Sequence, residues 1–181
     1  IDESVDFTEY KERHAFGEIY ETILKDLQSA GNAGEFYTPR AVTDFMAQAL
    51  APKLGETVAD FACGTGGFLT SALKILDSQV QTPADRELYA RSVYGIEKKQ
   101  LPYLLCVTNM LLHDIDNPEV FHDNSLEKDV REWKHKPDGQ FDVVLMNPPY
   151  GGSESASVQN NFPVALRSSE TADLFLGLIL Y

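Results

Sequence analysis

The most informative segment of the chain is Asp60-Phe61-Ala62-Cys63-Gly64-Thr65-Gly66-Gly67-Phe68. A short apolar run at residues 57–61 leads into it, and a run with helical periodicity at residues 68–76 follows it, so its glycines lie where a strand turns into a helix. Glycine permits a sharp turn there and lets a ligand approach the backbone at the N-terminus of the helix. The segment therefore predicts a strand–loop–helix unit with a ligand site at its turn.

Short apolar runs alternate with helical runs along the rest of the chain. Strands are predicted at residues 57–61, 93–97, 120–121 and 141–146, and helices at residues 41–50, 68–76, 101–113 and 174–181. This alternation predicts right-handed βαβ crossovers, and therefore an α/β fold with a doubly wound, mostly parallel sheet and helices on both faces. Because only four strands are predicted, we expect the sheet to be truncated after the fourth strand.

Three segments lie outside this pattern. Residues 8–30 have the periodicity of an amphipathic helix, which ends at Gly31-Asn32-Ala33-Gly34. Residues 79–91 are predicted to be an inserted loop with a short helix. Residues 151–169, rich in Ser, Asn and Gly, are predicted to be one long loop, and loops of that length are usually functional or mobile. We divide the chain into an N-terminal helical segment, residues 1–34, and an α/β core, residues 35–181.

Composition limits the classes of function. The 181 residues suffice for one ordinary domain, and 15 Lys and Arg against 28 Asp and Glu give a net charge of −13. A surface with this net charge does not attract phosphate backbones in general, so binding to nucleic acid needs a local patch of basic residues or a partner protein. Two cysteines and no signal peptide indicate a cytoplasmic protein, and no apolar run reaches the ~18 residues of a membrane span. The four histidines lack metal-ligand spacing, and we predict no metal site.

Polar side chains stand at or just after the end of each predicted strand. They are Asp60, Glu97, Asp123 and Asn147. In open parallel α/β sheets, ligands bind outside the carboxyl ends of the strands. Any one of these residues could simply be a polar group where a strand meets solvent, but four in succession predict a site at this edge.

The glycine loop lacks both of the common phosphate-binding patterns. A dinucleotide fingerprint would need a glycine at Leu69, and the chain contains no Gly-Lys-Ser/Thr sequence. A loop of this kind fits a nucleoside ligand without phosphate, of which S-adenosylmethionine is the common one. Glu97 then fits the carboxylate that accepts hydrogen bonds from both ribose hydroxyls. Cys63 has no base beside it in sequence, so we predict a packed loop residue and not a nucleophile.

The most specific motif is Asn147-Pro148-Pro149-Tyr150, after the last predicted strand. Its two prolines fix the backbone and remove two N–H donors, while Asn147 offers a side-chain acceptor and Tyr150 a flat stacking surface. This arrangement fits a planar exocyclic amine. Two acceptors on its N–H groups favour the pyramidal nitrogen whose lone pair attacks a methylsulfonium.

Together the glycine loop and the Asn147–Tyr150 motif resemble those of S-adenosylmethionine-dependent amino-methyltransferases. Further segments match one family within that class: Glu35-Phe36-Tyr37-Thr38-Pro39-Arg40, Leu111-Leu112-His113 and Thr171-Ala172-Asp173-Leu174-Phe175-Leu176. With them the chain resembles the methylation subunit of type I restriction-modification systems, which are N6-adenine DNA methyltransferases. The resemblance covers residues 16–181 and implies a Rossmann-like methyltransferase core.

The resemblance also implies a role for each motif. Asn147, Pro148, Pro149 and Tyr150 would hold the target adenine as the catalytic motif, and Glu97 would hold the cofactor ribose. Asp123 would meet the cofactor adenine. Glu35, Phe36, Tyr37, Thr38, Pro39 and Arg40 would cap the methionine end, and the loop residues Asp60, Ala62, Cys63, Gly64, Thr65, Gly66, Gly67 and Phe68 would cradle the cofactor.

Two other functions fit parts of the sequence. The four-residue motif also resembles that of protein glutamine-N5 methyltransferases, and a non-catalytic cofactor-binding or assembly module would need fewer of the motifs. Residues 35–40 and 171–176 favour DNA as the substrate. The resemblance further implies duplex DNA bound through a separate specificity subunit, with a second methylation subunit and a restriction subunit as partners.

Overall fold

The computed structural model describes Tyr20, Thr22 and residues 37–133 and 140–181. Tyr20 and Thr22 are helical, and the rest of the helix predicted at residues 8–30 lies outside the described residues, as do Glu35 and Phe36. The division of the chain at residue 34 therefore stays a prediction. In the described part of the chain, no helix is long and apolar enough to cross a membrane.

The elements of the described residues follow the predicted alternation. The strands are β1 (Val58–Asp60), β2 (Val93–Glu97), β3 (Glu119–His122) and β4 (Val143–Val144). The helices are α1 (Arg40–Leu50), α2 (Gly67–Asp77), α3 (Pro83–Tyr89), α4 (Gln100–Leu112), α5 (Val130–Trp133), α6 (Ala156–Gln159) and α7 (Thr171–Leu180). Short 3₁₀ turns lie at Ser125–Glu127 and Val164–Leu166.

The four strands form one sheet in the order β3-β2-β1-β4, with every neighbouring pair parallel. Since β1 lies between β2 and β4, the strands run outward from β1 in both directions, which is the doubly wound arrangement. The predicted parallel α/β sheet is confirmed. The ends of β1 and β2 and the residues after β3 and β4 therefore lie along one edge.

Two hydrophobic cores cover the two faces of the sheet. Alternate residues of β1 divide between them, because successive strand side chains point to opposite faces: Val58 belongs to one core and Ala59 to the other. The first core is built with helices α1, α2 and α4, through Ala47, Leu69, Leu73, Cys106 and Met110. The second is built with α7 and the segment before it, through Val158, Phe162, Leu174 and Phe175.

The last strand is shorter than predicted. Residues 141–146 are expected as a strand, but only Val143–Val144 has that conformation, although the Leu145 N–H still donates to the Ala59 carbonyl at 3.0 Å. The two prolines that follow fix φ and carry no N–H, so they cannot extend the ladder of hydrogen bonds. The chain therefore leaves the sheet immediately before the Asn147–Tyr150 motif.

The predicted loop at residues 151–169 has more structure than expected. It contains α6 and a 3₁₀ turn, and Val158 and Phe162 are buried in the second core. A bridge between Ser153 and Glu170 closes the segment at its base, where the Glu154 N–H donates to the Ser169 carbonyl at 2.8 Å. Packing of these two apolar side chains explains why the segment lies against the sheet.

Candidate functional site

Two buried carboxylates form the centre of the site. Asp60 ends β1 with 1% of its surface exposed, and its Oδ1 accepts from the Ala62 N–H at 3.1 Å. Glu97 ends β2 with 8% exposed. Its Oε2 accepts from the Gly64 N–H at 2.9 Å and its Oε1 accepts from the Lys99 N–H at 2.7 Å. Glu97 thus fixes both the glycine loop and the start of α4.

Burial changes the protonation of one of these two carboxyl groups. Burial raises the pKa of Asp60 to about 8, the Ala62 N–H opposes that rise, and the charge of Glu97 adds to it. Among the described residues, no basic side chain forms an ion pair with Asp60 or Glu97. Without a ligand Asp60 is therefore largely protonated near neutral pH, and a cation bound beside it would stabilise its ionised form.

The glycine loop between β1 and α2 depends on two left-handed residues. Gly64 has φ 55° and Gly66 has φ 82°. A Cβ on Gly66 would lie 2.8 Å from the Sγ of Cys106, closer than side chains pack. Only glycine both adopts the left-handed conformation readily and has no Cβ to meet Cys106. The loop therefore lies directly against α4.

The structure buries Cys63 in this loop, with its Sγ 3.7 Å from the Sγ of Cys106. Both cysteines are free thiols. The hydrogen bond with Cys106, and then burial, raise the pKa of the Cys63 thiol well above its usual value. Since the thiolate is the nucleophilic form, this thiol is poorly suited to attack.

Three polar residues that sequence reasoning missed hold the loop from outside. Asn109 on α4 donates from Nδ2 to the Thr65 carbonyl at 3.1 Å, and Ser125 donates from Oγ to the Phe61 carbonyl at 2.6 Å. Asn124, directly after Asp123, caps the turn that carries Ser125. The available signal was a buried Asn on the apolar face of a helix, since buried polar groups are normally hydrogen-bonded.

Thr38 and Arg40, at the start of α1, reach both other motifs. Arg40 donates from Nη1 to the Gly67 carbonyl at 3.3 Å and also to Thr70 Oγ1. Asn147 donates from Nδ2 to Thr38 Oγ1 at 3.4 Å. Residues 109 positions apart in sequence therefore meet at one edge of the sheet.

The Asn147–Tyr150 motif lies on the surface of this edge. Asn147 and Pro149 are exposed, Pro148 is half-buried, and Tyr150 has 84% of its surface exposed. The chain then turns at Gly151, which has φ 72° and whose N–H donates to Glu170 Oε1 at 2.9 Å. The aromatic ring therefore presents a free surface, with its backbone held from behind.

Asp123 follows β3 at the same edge. Its N–H donates to the Glu97 carbonyl at 3.2 Å, and its Oδ2 lies 2.7 Å from Lys128 Nζ. The hydrogen bond from Lys128 holds the pKa of Asp123 below its usual value. The carboxylate is half-exposed, so it can accept further hydrogen bonds from a ligand.

The structure brings most of the candidate residues to one edge of the sheet and leaves some in other roles. Phe68 and Thr65 are buried, Phe68 within the first hydrophobic core, while Ala62, Tyr37 and Thr38 are half-buried and Pro39 is exposed. A Cβ added to Gly67 would lie 3.5 Å from its nearest neighbour, Cγ2 of Thr43, which is ordinary van der Waals contact. Across residues 37–133 and 140–181, no group of three or more His, Cys, Asp or Glu side chains is arranged to hold a metal ion.

Comparison with known proteins agrees with this geometry. The model of the family described as N-6 DNA Methylase matches residues 11–181. The chain belongs to this family. The resemblance to N6-adenine DNA methyltransferases is thereby confirmed.

Two relatives of this chain are methylase subunits of type I restriction enzymes. The chain is 55% identical over 178 residues to the type I restriction enzyme EcoEI methylase subunit of Escherichia coli, covering 97% of this chain and 36% of that protein. It is 31% identical over 169 residues to the MpnII methylase subunit of Mycoplasma pneumoniae, covering 88% of this chain and 30% of that protein. The chain thus spans about a third of the length of these relatives.

Solved structures show the same fold. A structure that addresses complex assembly and conformational transition of the type I R-M system is 38% identical with a TM-score of 0.88, covering 98% of this chain and 36% of that one. The EcoKI M protein is 25% identical with a TM-score of 0.69, covering 81% and 31%. The fold of this chain is therefore that of type I methylation subunits.

Proposed function

We propose that this chain carries the catalytic core of a DNA adenine-N6 methyltransferase, the methylation subunit of a type I restriction-modification system. One observation carries the proposal: the Asn147–Tyr150 motif and the two buried carboxylates lie at the same edge of the sheet, joined through the segment that ends in Arg40. Methyl transfer requires the methyl donor and the amine that receives the methyl group to be bound next to each other, and these two sites are adjacent.

S-adenosylmethionine fits the residues that are present. It is cationic at sulfur and at its amino group, and a cation beside the buried carboxyl groups of Asp60 and Glu97 would favour the ionised form of Asp60. Each oxygen of Glu97 accepts one backbone N–H, and a carboxylate has about four lone-pair positions, so two remain for the ribose hydroxyls. When bound, this cofactor supplies a methyl group on a positively charged sulfur.

The motif residues then prepare the nucleophile. Asn147 Oδ1 and the Pro148 carbonyl accept the two N–H groups of the target adenine amine, which draws its lone pair out of the ring and onto nitrogen. The exposed ring of Tyr150 stacks on the adenine after it leaves the duplex. Asp123 would accept from the exocyclic amine of the cofactor adenine. Residues 35–40 would contact its methionine end.

Partners follow from family and charge. The relatives are named as methylase subunits of type I restriction enzymes, and this chain has a net charge of −13. We therefore assign DNA contacts to a separate specificity subunit, with a second methylation subunit and a restriction subunit in the assembly. The names of the relatives favour DNA over a protein glutamine as substrate.

The test is methyl transfer by the full-length protein assembled with the specificity subunit encoded beside it. Tritiated S-adenosylmethionine is supplied with unmethylated genomic duplex DNA or with a release-factor-like protein, and Asn147→Ala is the matched control. We expect label in N6-methyladenine of the DNA, none in the protein and none with Asn147→Ala. Label in protein glutamine would support the alternative enzyme. If neither substrate is labelled although the protein still binds the cofactor, the result would support the third function, a non-catalytic cofactor-binding or assembly module.

A further inference from the structure

Helix α1 is locked onto α2 beside the glycine loop. Arg40, its first residue, donates to the Gly67 carbonyl at 3.3 Å. One turn later, Thr43 lies fully buried, with its Oγ1 2.8 Å from the Oγ of Ser71, which is 2% exposed. These contacts hold the N-terminal end of α1 in a defined place relative to the loop.

The residues just before α1 are therefore also held in place. Pro39 precedes the helix with φ −53° and ψ 136°, an extended conformation that its ring restrains. The Thr38 carbonyl oxygen lies 4.0 Å from the position that a Cβ on Gly67 would take. Thr38 thus stands at a fixed point between the start of α2 and the catalytic motif.

From that point Thr38 meets the side chain of Asn147. Asn147 donates from Nδ2 to Thr38 Oγ1 at 3.4 Å. An amide side chain turned by 180° would present a donor to the target amine, whose N–H groups need acceptors. The Thr38 hydroxyl can accept from Nδ2 or donate to Oδ1, so it holds the amide in place in either orientation, and only the orientation seen here also offers Oδ1 to the amine.

We propose that Thr38 is a positioning residue, whose hydroxyl oxygen holds the Asn147 amide with its Oδ1 directed at the target amine. This rests on the proposed function and deepens it. It gives the Thr38 side chain a role of its own, distinct from the contact with the methionine end of the cofactor that is proposed for residues 35–40 as a segment. The two roles predict different kinetics, because orienting Asn147 affects methyl transfer and contacting the cofactor affects its binding.

The experiment compares Thr38→Val with Thr38→Ser in the full-length protein assembled with its specificity subunit. Valine keeps the shape and removes the hydroxyl, whereas serine keeps the hydroxyl. Equilibrium binding gives the Kd for S-adenosylmethionine, and initial rates with tritiated cofactor and saturating unmethylated genomic DNA give the methyl-transfer rate. For Thr38→Val we expect a rate reduced about tenfold or more with the cofactor Kd changed less than about twofold. Thr38→Ser should regain the wild-type rate within about threefold.

Unchanged cofactor affinity also shows that the valine variant is folded. A wild-type rate for Thr38→Val would overturn the proposal, as would a weaker cofactor Kd with an unchanged rate at saturation, which would make Thr38 a cofactor contact. Serine failing to restore the rate would overturn it too, since the methyl group would then matter. Absence of DNA methylation by the wild-type assembly would instead overturn the proposed function, and this inference with it.

Discussion

The buried carboxyl of Asp60 lowers the stability of the fold when it ionises, and it also provides the site with a group that can pair with a cation. Its carboxyl is almost completely removed from water, near Glu97 and without a cationic partner among the described residues, and its pKa rises to about 8. Near neutral pH the carboxyl is therefore largely protonated when no ligand is bound. A positively charged ligand beside it would favour the ionised form and complete the pair.

We predict that stability falls with rising pH because of Asp60. In the unfolded chain an aspartate has a pKa of about 3.9, so between about pH 4 and pH 8 the folded state holds a proton that the unfolded state has lost. The stabilisation from protonated Asp60 is complete below pH 4 and is lost as the pH rises to about 8. Thermal unfolding of Asp60→Asn without cofactor should lack this fall, and Asp116→Asn, an exposed aspartate, should keep it. Parallel pH profiles for wild type and Asp60→Asn would contradict the prediction.

Glu97 should affect cofactor binding specifically. Replacing it by Ala removes the proposed hydrogen bonds to the ribose and also frees the Gly64 and Lys99 N–H groups, so we expect a loss of about 1.5–3 kcal/mol in binding. Calorimetry with S-adenosylmethionine on the full-length protein measures this, with Glu119→Ala on the exposed side of β3 as control. A folded Glu97→Ala variant that binds as tightly as wild type would remove Glu97 from the site.

At the scale of elements, periodicity and turn residues were sufficient to place β2, α1, α2 and α4 to within one residue, whereas α7 begins three residues before the predicted start. The position of Asp60 and Glu97 at strand ends followed from the same patterns. Contacts between distant segments were not predictable, because no local pattern encodes that Arg40 reaches Gly67 or that Thr38 reaches Asn147. The burial of Val158 and Phe162 within residues 151–169 was missed for the same reason.

The glycine loop permits a matched test of local structure. Gly66 and Gly55 both have positive φ, 82° and 97°, but a Cβ on Gly66 would meet Cys106 Sγ at 2.8 Å and one on Gly55 would meet nothing within 4 Å. Gly55→Ala should therefore cost about 1 kcal/mol from backbone strain alone. Gly66→Ala should cost about 1–3 kcal/mol more, from overpacking against α4. Denaturant unfolding measures the free energy of unfolding of both variants. Equal losses would contradict the prediction, because they would show that α4 shifts away from the added Cβ without loss of stability.

At the scale of the whole molecule, acidity argues against independent DNA binding. The net charge is −13, and the basic residues that could form a patch are partly neutralised within the structure. Lys128 pairs with Asp123 at 2.7 Å, and Arg131 pairs with Asp129. Neutralising several phosphates needs clustered, available cations, since each contact releases counterions from the duplex.

We therefore predict that this chain alone binds duplex DNA negligibly at physiological salt, binds S-adenosylmethionine weakly or not at all, and gains site-specific methylation only with a separate specificity subunit. Sequence readout needs side chains that reach base edges in a groove, and the exposed Tyr150 offers stacking, which does not discriminate strongly among bases. Gel-shift titrations of the chain, with and without the specificity subunit, measure this directly. Submicromolar, sequence-specific binding by the chain alone would contradict it, because the contacts would then have to come from a surface on which Lys74, Arg86, Arg91, Lys128 and Arg131 already pair with carboxylates.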